Sequence, residues 1–595
     1  MQWIRVDLLL EQFPAALATI ETSLDDASFF HTSSSDECLV MDWDVAIVGA
    51  GMGGAAFGYA VANAGYKVLF IEKGLSHFST RNKDQPDATD PEGRLKNGRW
   101  PTPIVGKIND KTTSFYPSLG CGAGGSTLLY AATLERFGRK DFCLKSTSQK
   151  PAWPISYDEL EPFYRRVEGL FRVRGTPDPF YDGPAAPLRP PPEMSSSDRE
   201  LFAVLERNGL QPYRTHNACE ADADCLSCGG TICHRSCKHD AKGVFLDPLL
   251  ASGKASMLDR CTVERIDADR GGVTKLVCRR LNEEVVVHAR HYALAAGAYA
   301  TPMLLLESAN ASWPYGIANS SDMVGRNLMF HVSDFLAVWP RGRGNHVKAE
   351  RAIAVRDYDR SSYDQLGMIQ SAGMSASPRN IMHVLNILID TGRFRWLRPL
   401  RRFVQVPAVL IAWALGRATI FATIIEDHPY RGNRVRPDRN HPGTIFFEYT
   451  VSEELRQRVR RFRRLYRQAF RRRRTLVLTP EVNLNFGHPC GTCRGGLDPK
   501  NSVVDAQNRA HDLKNLYIVD ASIFPTSGGV NPSLTVAASA LRAGSLLVAS
   551  MAETALTVAE GTLLYPGPVP LGHDARYFCD REGDALSGGT GSVTL

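Results

Sequence analysis

The stretch from Asp44 to Gly74, DVAIVGAGMGGAAFGYAVANAGYKVLFIEKG, constrains the fold of this chain more than any other. Val45-Ala46-Ile47-Val48 is an apolar run of the length and composition of a buried parallel strand. Gly49, Gly51 and Gly54 follow in G-x-G-x-x-G spacing, with Gly53 between them. A helix rich in small residues comes next, then a second apolar run, Val68-Leu69-Phe70-Ile71, which ends on Glu72 and Lys73. Each part has a mechanical reason. Gly49 permits a tight turn, Gly51 lets backbone approach a pyrophosphate, and Gly54 lets helix and strand touch. The helix N-terminus presents N–H groups and partial positive charge to phosphates. Glu72 is placed to accept hydrogen bonds from a ribose diol. The unit predicts a strand–helix–strand that binds an adenine dinucleotide, with NAD and FAD equally compatible.

A chain of 595 residues is too long for one ordinary core, so two or more domains are expected. The net charge of +7 is mild, and its arginines concentrate between Arg456 and Arg474. These read as a solvated helix face. No nucleic-acid module or aromatic interleaving accompanies them, so no nucleic-acid partner is expected. Asp7 and Glu11 interrupt the order of a signal peptide, and no unbroken run of about 18 apolar residues occurs. The expectation is a cytoplasmic protein whose 13 cysteines are thiols or metal ligands.

Along the chain, Met1 to Cys38 reads as a helical extension and Leu75 to Asp110 as a long polar loop. Gly120, Gly122, Gly124 and Gly125 precede Ser126, Thr127 and Tyr130, which suggests backbone held against a ligand. Ser156 with Glu159 forms a capping-box pattern. His291 to Gly297 is a second strand–glycine–helix unit. Val451 to Phe470 is a charged helix, and Leu516 to Asp520 is a buried strand before a long Ala-rich helix.

These motifs, taken in order, resemble the glucose-methanol-choline (GMC) family of FAD-dependent oxidoreductases. The resemblance rests on the Val45–Glu72 unit, Gly124-Gly125-Ser126-Thr127, Trp153-Pro154, Ala295-Ala296-Gly297-Ala298, and Val324-Gly325-Arg326-Asn327-Leu328 with His331. It continues in Asn433-Arg434-Val435, His488-Pro489-Cys490-Gly491-Thr492-Cys493, Asn515 to Ser522, and Asn531-Pro532-Ser533-Leu534-Thr535. It implies an α/β fold: a Rossmann-like FAD-binding domain built from discontinuous segments, plus an α+β substrate domain with a large, mostly antiparallel sheet. The implied partition is an extension over 1–41, FAD-binding segments over 42–140, 241–330 and 485–560, a part of the substrate domain with a cysteine-rich insertion over 141–240, the substrate or cap domain over 331–484 and a flexible tail over 561–595. The resemblance also implies that the cofactor meets Gly49, Gly51, Gly53, Gly54, Glu72, Lys73, Gly124, Gly125, Ser126, Tyr130, Val263, Ala296, Gly297, Asp520, Ala521, Asn531, Pro532 and Ser533. Leu129 stands where some members carry a flavin-linking histidine, so non-covalent FAD is expected.

The resemblance places His488 and Asn531 at the two catalytic positions. An imidazole suits removal of a hydroxyl proton, and an amide can only orient the substrate oxygen. The expected activity is oxidation of the CH–OH group of a small organic, sugar or lipophilic alcohol, with hydride passing to flavin N5. The electron acceptor (oxygen, a quinone or a redox protein) and the oligomeric state stay open. A non-redox or photochemical flavoenzyme, lyase or isomerase, or a non-catalytic flavin-binding protein, would share the cofactor site. The filled His488/Asn531 pair argues for alcohol oxidation. His331 reads as structural, and Cys490 beside His488 as packing.

Two segments stand outside that account. Cys225, Cys228, Cys233 and Cys237 are spaced C-x2-C-x4-C-x3-C. A structural metal, an iron–sulfur cluster, or thiols with a local loop role all fit that spacing. Residues 393–417 hold an apolar run of about twelve residues bounded by arginines, too short to span a bilayer. It fits a lid, an oligomer contact or a peripheral membrane contact.

Overall fold

The computed structural model describes residues 42–78, 90–142, 151–181, 183–220, 228–341, 351–359, 365–373, 403–438, 440, 443–479 and 482–559, with isolated positions between 378 and 399. The expected N-terminal extension, the tail, Cys225 and nearly all of 393–402 lie outside the described residues.

Five strands lie parallel in the order Leu516–Ile518, Ala289–Leu294, Trp43–Val48, Val68–Ile71 and Ala255–Leu258. Val45–Val48, Val68–Ile71 and Leu516–Ile518 are buried on both faces, which is why they read as unbroken apolar runs, whereas Ala289–Leu294 carries an exposed Arg290 near its start. The helix Met52–Asn63 lies against this sheet. A Cβ on Gly58 would come within 2.3 Å of the Phe70 ring. The long helix Ser533–Ala559 packs across Met52–Asn63, and a Cβ on Gly544 would come within 2.7 Å of the Phe57 carbonyl. The small residues of both helices are therefore a condition of their close approach. Ser533–Thr554 is long and apolar enough by hydropathy to cross a membrane, although no unbroken apolar run marks it. Of its 18-residue apolar window, 56% is buried inside the protein.

A second, seven-stranded sheet is antiparallel throughout. Ala354–Val355, Gly367–Ser371, Thr419–Ile425, Met329–Val332 and Leu484–Cys490 are neighbours in that order. Phe335–Trp339 joins Thr419–Ile425 to Arg474–Val477. The charged helix runs Glu453–Ala469 and buries Leu455, Val459, Phe462 and Tyr466. The expected FAD-type parallel sheet and large antiparallel sheet are both present. A three-stranded sheet, Cys261–Ala268, Val273–Arg280 and Glu283–Val287, completes the parallel side.

One expectation is corrected. The segment Leu75 to Asp110 is not all loop: it contains the helix Pro91–Lys96 and the strand Ile104–Ile108. That strand forms a hairpin with Lys111–Phe115 through Asn109 and Asp110, at φ 44° and 65°. Two positive φ values suit a two-residue primed turn, and Asn and Asp tolerate them. The polar residues of this hairpin hid its alternation.

Candidate active site

The dinucleotide turn is built as its glycines require. Gly49 sits at φ +96°, and a Cβ there would meet the Ala295 carbonyl oxygen at 2.6 Å. A Cβ on Gly53 would fall 1.9 Å from the Val519 oxygen, and one on Gly54 2.1 Å from the Gly49 oxygen. No side chain caps the N-terminus of Met52–Asn63 at Gly51. Gly125 lies over Gly51, so closely that its Cβ would stand 2.7 Å from the Gly51 Cα. The Gly124-Gly125-Ser126 loop and the first turn thus share one cradle. The loop turns into a short 3-10 helix, Gly125–Leu128, and Ser126 accepts from the Gly120 N–H at 3.1 Å.

Glu72 does more than wait for a ribose. Its carboxylate accepts from the N–H groups of Ala50 (2.9 Å), Gly74 (2.8 Å) and Gly122 (3.0 Å). It therefore ties the turn to the second glycine loop. The Cys121 thiol also faces Oε1 at 4.0 Å, whereas Oε2 takes only the Ala50 N–H and keeps an acceptor position for a diol. Asp520 plays a similar part beside the helix Gly297–Glu307. It accepts from the Gly297 N–H (2.9 Å), the Thr301 hydroxyl (2.6 Å) and the Ser522 N–H (2.8 Å). Ala296, Gly297 and Ala521 are thereby drawn to one place. Lys73 is engaged elsewhere: its ammonium lies over the Trp100 ring at 4.6 Å. The Tyr130 hydroxyl donates to the His239 carbonyl. Val263 lies on Cys261–Ala268, whose first N–H donates to the Glu72 carbonyl at 2.9 Å. Pro532 and Ser533 begin the long helix just after Asn531.

His488 lies on Leu484–Cys490, beside Met329–Val332 of the antiparallel sheet. Met329 pairs with Cys490, but His331 pairs with Asn485, so the register shifts between them. A bulge of this kind re-aims side chains. Here it carries His488 across to His331, with the two Nδ1 atoms 3.0 Å apart.

That contact decides which nitrogen of His488 is basic. The Nε2 of His331 faces the carbonyl oxygens of Ser527 and Gly528, each at 3.0 Å. Carbonyls only accept, so His331 carries its hydrogen on Nε2. Burial pushes the His331 pKa below 6.5, so the ring is neutral and its Nδ1 accepts. His488 must then donate from Nδ1, and its Nε2 holds the bare lone pair. Burial, and then the neighbouring His331, push the His488 pKa down to about 3, which keeps that ring neutral as well. Sequence reasoning read His331 as structural; the structure makes it the hydrogen-bond partner of His488. The signal was its pairing with a family position already known to recur, but not what it touched.

Asn531 ends the loop that His331 holds at Ser527 and Gly528. It is buried, and its Oδ1 has no hydrogen-bond partner. A buried acceptor left unmatched costs about 1–3 kcal/mol and marks a place built for a ligand group. Cys490 is buried, with its thiol facing the Met329 carbonyl at 3.9 Å. Burial raises its pKa, so it packs as a neutral thiol.

The cysteine loop is organised around a lysine. The buried Lys238 ammonium donates to the carbonyls of Leu128 (2.7 Å), Thr231 (2.8 Å) and Cys228 (2.9 Å), with Tyr130 at 3.4 Å. It clamps the loop onto the segment that follows the glycine loop. Cys228 hydrogen-bonds Cys233 and pulls that thiol down to about 4, while Cys237 turns toward the Arg235 carbonyl. Cys225, the fourth cysteine of that spacing, lies outside the described residues. Among the described residues no group of three His, Cys, Asp or Glu side chains is arranged for a metal.

Known proteins resemble this chain over most of its length. The two family models described as GMC oxidoreductase match residues 46–333 and 429–540. The chain is 28% identical to 6'''-hydroxyparomomycin C oxidase of Streptomyces lividus, across 86% of this chain and 92% of that protein. It is 27% identical to the fructose dehydrogenase large subunit of Gluconobacter japonicus, across 85% and 97%. Pyridoxine 4-oxidase has a similar solved fold, with a TM-score of 0.58 at 18% identity, covering 84% of this chain and 98% of that one. With its glycine cradle, its two sheets and these relatives, the chain belongs to the GMC oxidoreductase family, FAD-dependent enzymes that oxidise alcohol groups.

Proposed function

We propose that this protein oxidises an alcohol to a carbonyl with His488 as the general base and Asn531 as the group that positions the substrate oxygen. The observation that carries the reading is the chain of hydrogen bonds from the Ser527 and Gly528 carbonyls through His331 to His488. It leaves His488 Nε2 as an unprotonated acceptor.

The residues present fit FAD. The Gly49–Gly54 turn, the uncapped helix start and the overlying Gly125 make a cradle that side chains would fill. Bound there, FAD supplies the hydride acceptor. The chain's own groups do the rest. His488 Nε2 takes the hydroxyl proton, and the positive charge it gains is delocalised over the ring and its Nδ1–H···Nδ1 contact with His331. Asn531 holds the substrate oxygen, which lowers the entropic part of the barrier. His331 acts through His488 and is a positioning residue. FAD is held without a covalent bond, since Leu129 offers no nucleophile.

The substrate is a small alcohol. Relatives named for hydroxyparomomycin, paromamine and fructose favour a hydroxyl on a sugar-like molecule. Anaerobic bleaching of the flavin by a panel of sugar, amino-sugar and aromatic alcohols tests this reading, and admission of oxygen or a quinone then identifies the acceptor. Failure of every alcohol to bleach the flavin would overturn it. Acid precipitation is expected to release all the flavin into the supernatant.

A further inference from the structure

The bulge that brings His488 to His331 has a short side and a long side. Between the pair His331 with Asn485 and the pair Met329 with Cys490, one strand has only Phe330, and the other has Phe486, Gly487, His488 and Pro489. Val332 pairs with Ile425, so the same register sets Phe330 opposite Asp427, just past the end of Thr419–Ile425. There the Phe330 N–H donates to a side chain, the Asp427 carboxylate, at 3.0 Å. That carboxylate also accepts from the Tyr449 hydroxyl at 2.6 Å and from the His428 N–H at 2.9 Å. Asp427 and Phe330 are both wholly buried. Three donors from three directions therefore fix the carboxylate, and the carboxylate fixes the short side of the bulge.

Asp427 also reaches the far end of the His331 ring. Its backbone N–H donates to the Ser527 hydroxyl at 2.9 Å, and that hydroxyl donates to the Asp427 carbonyl at 3.0 Å. The Ser527 carbonyl is one of the two that take the His331 Nε2–H. The loop is pinned again at Gly529, whose carbonyl accepts from the Met368 N–H at 3.2 Å. Asp427 thus grips His331 twice. Its side chain holds the backbone just before the histidine, and its main chain, through Ser527, holds the acceptor that fixes the tautomer.

We infer that Asp427 is a positioning residue for the alcohol oxidation, acting through His331 on His488. This role rests on that of His488 as the base. The two Nδ1 atoms stand 3.0 Å apart, so a shift of about 1 Å in His331 breaks their hydrogen bond and releases the single tautomer that bares His488 Nε2. Phe330 offers no polar side chain of its own to resist that shift, and Ser527 holds its carbonyl in place only while its hydroxyl is held.

The test is steady-state kinetics of the full-length, FAD-loaded enzyme on an alcohol that bleaches its flavin, with flavin content and thermal unfolding measured alongside. Asp427→Ala is expected to lower kcat by about 10–100-fold while KM changes by less than about twofold. Asp427→Asn keeps an oxygen for the Phe330 N–H and the Tyr449 hydroxyl, and should hold kcat within about fivefold of the parent. Placed on His331→Ala, Asp427→Ala should cost less than about twofold more, because the ring it positions is gone. Ser527→Ala cuts the second grip and leaves the carboxylate in place. It should show the same dependence on His331, and it decides the matter if Asp427→Ala loses its flavin. Equal losses on the parent and on His331→Ala would overturn the proposal, as would Asp427→Asn as slow as Asp427→Ala, or a raised KM at unchanged kcat. Near-normal turnover by His488→Ala would remove the base and this role together. A slow His488→Ala beside an Asp427→Ala loss that adds fully to that of His331→Ala would overturn the positioning role alone.

Discussion

The two ends of the cofactor cleft are built on opposite principles. At the pyrophosphate end the polar groups are matched by the protein itself: Glu72 accepts from three backbone N–H groups that close the turn and the glycine loop. At the other end polar groups are left waiting. Asn531 Oδ1 is buried without a partner, and the hydrogen-bond chain from Ser527 and Gly528 leaves His488 Nε2 bare. The first arrangement makes a rigid cradle at little cost in unpaired groups. The second holds unsatisfied acceptors in place, where a substrate hydroxyl can repay them.

The strongest way to break the comparison is at His488. His488→Ala should lower kcat by roughly 10²–10⁴-fold while FAD content stays normal. Near-normal turnover would remove the catalytic reading from that end. At the cradle, Gly53→Ala places a methyl 1.9 Å from the Val519 oxygen. We expect it to lower stability by about 1–3 kcal/mol and to reduce the flavin retained on purification, read by thermal unfolding and by visible absorbance. A variant as stable as the parent would show that the cradle is less rigid than its packing implies.

His331→Ala strips His488 of its acceptor and frees its tautomer. An unmatched donor of this kind costs roughly 1–3 kcal/mol, or about 5–150-fold in kcat/KM. The pH profile distinguishes positioning from bulk packing, because the variant's acid limb should move, whereas loss of packing alone would leave it in place. The smallest effect is in the parent enzyme. Since the folded His488 pKa lies below 6.5, its base stays available as pH falls, and the acid limb of kcat/KM should lie at least about one unit below that value. The same shift means that between the two values the unfolded chain binds the extra proton. This contribution to stability is full above pH 6.5 and is lost as pH falls from there toward the folded value. A limb at or above 6.5 would count against a neutral base.

Much of this was legible in the residues. The capping box forms as read, with Ser156 and Glu159 bonding reciprocally. The Val45–Glu72 unit folds locally, and its strands and helix lie where its periodicity puts them. The hairpin at Asn109–Asp110 was missed because its strands carry polar residues on one face, which obscured a turn signal that was present. Lys238 was missed for a different reason. A single lysine in a cysteine-rich loop says nothing of four carbonyls, two from its own loop and two from the segment after the glycine loop. The cysteine spacing fitted a metal, an iron–sulfur cluster or local thiols alike, and it carried no sign of the ammonium at the centre of that loop.

Local pattern was enough to specify the family, the cofactor class, the dinucleotide turn and the two residue types proposed for the reaction centre. These depend on local geometry: glycines tolerate a turn that other residues cannot, and imidazole has the right basicity wherever it stands. How those groups are aimed came from the assembled fold. The register shift that brings His488 to His331, and the tautomer that follows from it, depend on strands paired across long stretches of chain. Pairing of that kind is set by the global minimum of packing and hydrogen bonding, which no local pattern encodes.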